Sequence, residues 1–165
     1  MSGDLDSGAP LLLNGRVIVA VGPATLALDA ATGKRIWEYM LPPGFGFNVT
    51  PATDGERVYV STKIDINGSN LGARMIALDA ATGKLAWEHQ PGGGMTAAAV
   101  TPGRVCFGSS TDLYFSCVEP KGNPDGATNL LWRYKTGGIV EESCPAIYGN
   151  KVYFLSTHGY LYAIE

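Results

Sequence analysis

Charge is scarce in this 165-residue sequence, and what there is does not gather. Asp, Glu, Lys and Arg make up 16% of the residues, the twelve Lys and Arg are scattered, and the formal net charge is −3. Without a basic patch to draw a phosphate backbone, no nucleic-acid partner is expected. No apolar run approaches the roughly 20 residues that span a bilayer, so no membrane span is expected either. The opening Met1-Ser2-Gly3-Asp4-Leu5-Asp6 has no signal peptide's basic start and apolar body. That leaves either a cytoplasmic chain or a missing true beginning. Three cysteines, Cys106, Cys117 and Cys144, are an odd number without Cys-x-x-Cys spacing, which points neither to zinc nor to a complete disulfide framework. Cys106 and Cys117 fall on strands joined by a short hairpin, and the reading preferred for them is reduced cysteines filling core positions. The two histidines, His89 and His158, have no acid or nucleophile at a recognisable spacing, so surface or turn roles are expected.

What is abundant is turn chemistry and apolar residues: 22 Gly, 10 Pro and 45% hydrophobic content, spread along the whole length. That composition reads as an all-β chain of short elements. A period runs through it. Ala27-Leu28-Asp29-Ala30-Ala31-Thr32-Gly33-Lys34 with Trp37 returns as Ala77-Leu78-Asp79-Ala80-Ala81-Thr82-Gly83-Lys84 with Trp87. A second landmark is a basic residue that opens a β-rich run: Arg16-Val17, Arg57-Val58, Arg104-Val105 and Lys151-Val152. Six residues before each sits Pro10, Pro51, Ala98 or Pro145, followed by a short strand and a tight turn.

Each unit therefore predicts a short strand, a turn, a β-branched and aromatic strand, a third strand ending Ala-Leu-Asp, a Thr-Gly turn and a fourth strand carrying Trp. A four-stranded meander of this size covers neither of its faces alone, and radial packing of successive meanders solves that problem. The expected architecture is a β-propeller of four-stranded antiparallel blades. Residues 1–9 form a polar lead-in, and about four blades follow at 10–41, 48–91, 96–136 and 141–165, the last without its outer strand. The third unit is degraded: Tyr114–Glu119 replaces the Ala-Leu-Asp strand, and Gly122-Asn123-Pro124-Asp125-Gly126 is inserted before Trp132. Residues 65–72 lengthen the second unit. Both insertions are expected to be surface loops.

The motif Ala-Leu-Asp-Ala-x-Thr-Gly-Lys-x-x-Trp resembles the tryptophan-docking repeat of pyrroloquinoline-quinone (PQQ) type propellers, a family that holds quinoprotein dehydrogenases and noncatalytic relatives. The resemblance covers roughly residues 10–165. In this reading Asp29, Thr32, Gly33, Trp37, their copies Asp79, Thr82, Gly83, Trp87, and Trp132 are structural: Asp and Thr close the turn, Gly supplies its unusual backbone angle, and Trp packs between blades. Family rings usually have seven or eight blades. The chain is accordingly expected to be the C-terminal half of a larger propeller or a half-ring that pairs with another copy, and self-association is expected because an open half-ring exposes two blade faces.

The resemblance implies two functions. The preferred one is a noncatalytic scaffold for protein–protein interaction, similar to the outer-membrane assembly lipoprotein propellers, with no cofactor for this chain and a periplasmic or extracytoplasmic location. The alternative is part of a PQQ- and calcium-dependent alcohol or sugar dehydrogenase. Adjacent cysteines that stack on the quinone in the alcohol-dehydrogenase branch have no counterpart here. Glu141, Glu142 and Asn48 fall where an axial mouth is expected and are weak candidates for oxygen ligands to a hard cation. Phe45, Phe47, Tyr148 and Tyr160 are candidates for a binding surface or for packing between blades.

Overall fold

The computed structural model describes residues 8–47, 49–64, 73–90, 94, 96–110, 112–141 and 143–165. The candidates Asn48 and Glu142 and the lengthened loop at 65–72 lie outside the described residues. The elements formed by the rest are all strands.

The first blade is β1 (Leu11–Leu13), β2 (Arg16–Val21), β3 (Ala24–Asp29) and β4 (Arg35–Met40), paired antiparallel in chain order. Its first turn uses Asn14 and Gly15, both at positive φ, the geometry that lets a two-residue turn follow the twist of its strands. The second blade adds β5 (Phe45–Phe47), β6 (Ala52–Thr53), β7 (Arg57–Ile64), β8 (Arg74–Asp79) and β9 (Leu85–His89). Here the innermost position is shared, because β6 pairs with the start of β7 and β5 with its far end. The third blade comprises β10 (Ala99–Thr101), β11 (Arg104–Phe107), β12 (Tyr114–Gly122) and β13 (Thr128–Lys135). The last is β14 (Ala146–Tyr148), β15 (Lys151–Leu155) and β16 (Leu161–Ile164), with three strands among the described residues.

Alternation along each strand gives every blade two apolar faces, and the core lies between blades rather than inside one. Ile18, Ala27 and Trp37 of the first blade meet Val58, Val60 and Leu78 of the second. Tyr59, Ala77 and Trp87, on the second blade's other face, meet Val105, Phe107 and Val118 of the third. Cys106, Phe115 and Cys117 of the third meet Val152 and Phe154 of the fourth, where the Phe115 and Phe154 rings stack with centroids 3.7 Å apart. The sheets do not close into a ring. This is a partial propeller, with one face of the first blade and one face of the last left uncovered by the described residues.

One sequence reading is overturned. Cys106 and Cys117 are joined by a disulfide, not reduced. They take the core positions expected of them, equivalent to Tyr59 and Ala77, and these positions are directly opposed across β11 and β12 with Cα atoms 4.1 Å apart. Two cysteines in the close-spaced register of an antiparallel pair bring their sulfurs together without backbone movement. Cys144 is free and exposed.

Candidate functional site

The repeat residues build a socket that joins one blade to the next. In the turn after β3, the Asp29 carboxylate accepts from the Thr32 amide at 2.7 Å and the Thr32 hydroxyl at 2.6 Å, while the Gly33 amide donates to the Asp29 carbonyl at 2.8 Å. Asp79, Thr82 and Gly83 repeat the arrangement after β8. The Thr hydrogen bonds hold both carboxyls below the ordinary carboxylate range.

The tryptophan of the preceding blade seats on that turn. Trp37 donates its indole N–H to the Ala80 carbonyl at 3.0 Å, and the same oxygen accepts from Arg16 at 2.7 Å. Trp87 donates to the Pro120 carbonyl at 2.7 Å. A Cβ on Gly83 would stand 2.6 Å from the Trp37 ring, and one on Gly122 would stand 2.5 Å from the Trp87 ring. Gly122 therefore belongs to the socket of the degraded unit rather than to a surface insertion, and it closes a hairpin by pairing with Thr128. The first blade's own socket is open: a Cβ on Gly33 meets nothing within 4 Å. Trp132 is half-buried and stacks over Phe115 at 6.0 Å.

The residues singled out for chemistry do not converge. Glu141 is half-buried beside Ser143 and Cys144 at the rim of a shallow concavity of about 540 Å³ on the open side of the last blade. Thr50, two residues after Asn48, accepts from the Ala9 amide. Among the described residues no group of three His, Cys, Asp or Glu side chains is placed to hold a metal ion. His89 packs edge-on against Phe107, and burial, then the nearby Arg133 charge, lowers its pKa. His158 is exposed. Phe45 packs on the core between the first two blades, with the Arg74 guanidinium 4.7 Å above its ring, so it is not a free binding surface. Tyr148 and Tyr160 are exposed.

The family model described as outer membrane protein assembly factor BamB matches residues 1–120. This chain belongs to that family. BamB from Moraxella catarrhalis shares 17% identity and the same fold, with a TM-score of 0.70 over 94% of this chain, which spans about half (48%) of that protein. The computationally designed Ika4 protein is similar over 99% of this chain and 92% of its own length, at 13% identity and a TM-score of 0.73. A europium-containing methanol dehydrogenase matches at 14% identity and a TM-score of 0.61 over 94% of this chain and 39% of its own. No curated protein sequence matches at a significant level. At these identities the structural likenesses speak for the fold, which a BamB and a methanol dehydrogenase both carry. No helix among the described residues is long and apolar enough to cross a membrane.

Proposed function

We propose that this BamB-family chain is a noncatalytic propeller scaffold that holds other proteins on its loop faces and blade edges during assembly of outer membrane proteins, outside the cytoplasm and without a cofactor. The observation that carries this reading is the family match over residues 1–120. The Cys106–Cys117 disulfide supports the extracytoplasmic half, since such bonds persist in oxidising compartments. The sockets support the scaffold half, because the repeat residues the sequence marks most strongly join blades to one another.

Two measurements test it. Exported in a bacterium lacking its own assembly factor of this family, the protein is expected to restore outer-membrane β-barrel levels. Titration with PQQ in the presence of Ca²⁺ is expected to give no binding. Failure to restore, together with saturable quinone binding and dye-linked alcohol oxidation, overturns the scaffold in favour of the dehydrogenase.

A further inference from the structure

Around the junction of the second and third blades, two hydrogen bonds of the repeat are missing. Within each of the first two blades, the residue after the motif acid donates its amide to the carbonyl just before the basic strand opener: Ala30 to Gly15 at 2.8 Å and Ala80 to Glu56 at 2.9 Å. In the third blade that place falls to Pro120, which has no N–H, so the Gly103 carbonyl lacks this donor. Between the first and second blades Arg16 donates to the Ala80 carbonyl, and between the third and fourth Arg104 donates to the Gly149 carbonyl at 3.2 Å. Arg57, the equivalent of Arg16, makes no such bond among the described residues. Its ion pair is with Glu56, 3.6 Å away and 85% exposed.

A groove lies where these bonds are absent. Arg57, Gly103, Pro120 and Lys121 line a concavity of about 530 Å³. A second, of about 540 Å³, shares Glu119 and Lys121 and runs on beside Gly122, Asn123 and Pro124. Both walls belong to the two central blades, so the groove does not depend on what covers the outer faces of the first and last.

The polar groups of the groove select a ligand. Lys121 is exposed and pairs with no acid among the described residues. Asp54, whose charge Arg57 also feels, is occupied by the amides of Glu56 and Arg57 and by the Tyr59 hydroxyl, and the Glu119 carboxylate accepts from Asn129 at 2.8 Å. Two cations therefore face the groove with unused donors, and one main-chain carbonyl faces it as an acceptor. The Glu56 and Glu119 charges beside them admit a single negative charge and oppose a multiply charged anion such as phosphate. A peptide's carboxyl terminus carries the matching set, one carboxylate with the last amide N–H next to it.

We infer that this groove captures the carboxyl terminus of a partner polypeptide. Arg57 and Lys121 hold its carboxylate, the Gly103 carbonyl accepts its last amide N–H, and its preceding residues lie along the hairpin at Gly122, Asn123 and Pro124. The inference rests on the scaffold reading for its purpose, and it names the partner's chemistry at one place on that scaffold.

The test uses the whole chain, isotopically labelled and titrated with acetyl-tetraalanine whose carboxyl terminus is free, and then with the same peptide amidated. Saturable amide shifts at Arg57, Gly103 and Lys121 are expected for the free acid, with at least about tenfold weaker binding of the amide. Arg57→Lys places there the residue type that Lys151 already supplies in the last blade. It keeps the charge, loses the planar fork, and is expected to weaken binding several-fold while circular dichroism and melting stay unchanged. Pro120→Ala copies Ala80, restores a donor to Gly103, and is expected to weaken binding without loss of stability. Glu56→Gln removes the competing acid and is expected to tighten it. Absence of saturable shifts, shifts centred elsewhere, equal binding of acid and amide, or indifference to both Arg57→Lys and Pro120→Ala each overturns the proposal. Capture of the free acid by a protein that fails to restore outer-membrane assembly supports the groove and removes the scaffold role, whereas restoration without capture removes the groove alone.

Discussion

Gly33 and Gly83 occupy the same place in two copies of one motif, at φ of 69° and 72°, yet their surroundings differ. Gly33 faces open space, so Gly33→Ala is expected to cost about 1 kcal/mol through the left-handed backbone alone. Gly83 lies under the Trp37 ring, and Gly83→Ala adds an overpacking penalty for a total of about 2–4 kcal/mol. Denaturant unfolding of the two variants measures the difference, and equal costs would mean that Trp37 is not seated on Gly83. His89 offers a second residue-scale test. Its depressed pKa means that, as pH falls below about 6.5, the unfolded chain takes up a proton the folded chain resists. Stability on this account is full above that pH and declines below it. Melting temperatures from pH 7.5 to 5 are expected to fall more steeply for the native chain than for His89→Gln, which has nothing to titrate.

Among elements, the β11–β12 hairpin separates what pattern reveals from what it hides. The repeat placed Cys106 and Cys117 correctly in the rows of Tyr59 and Ala77, but a row assignment does not state that two sulfurs bond. That depends on the close register of the pair and on the redox conditions of folding. The bond closes a loop with a sequence separation of 11, so its loss is expected to destabilise the chain by about 3 kcal/mol. A lower denaturant midpoint under reductant, and one titratable thiol in the unfolded, unreduced chain, are the readouts; three thiols before reduction would refute the bond. Other elements were hidden for different physical reasons. Phe45-Gly46-Phe47 is too short and too Gly-interrupted to announce a strand, yet the long connection into the second blade lays it along the far half of β7. Gly122 sits three residues after Glu119, whereas Gly83 sits four after Asp79, so the altered spacing concealed that it receives Trp87. The fourfold strand order was legible because turn residues and alternation are local. Which indole meets which turn was not, because that contact joins residues 43 apart.

For the whole molecule, stability should follow the number of covered faces. Blades packed in series exchange energy only with neighbours, as in other repeat architectures. The second and third blades have both faces buried, while the first and last have one each. Local opening should therefore start at the ends and reach the middle last. In hydrogen exchange of the isolated chain, amides of Val58–Val60, Met75–Leu78 and Phe115–Val118 are expected to be slowest. Those of Leu11–Leu13 and Leu161–Ile164 are expected to exchange first, because their outer sides, with Leu12 71% and Leu161 68% exposed, have no neighbour among the described residues. The gradient also reports on assembly. If the terminal blades prove as protected as the central ones at high concentration but not on dilution, a second copy covers the open faces and the half-ring closes by self-association. If the gradient persists at every concentration, the terminal blades of this chain do not pair with a second copy, and the self-association reading is overturned.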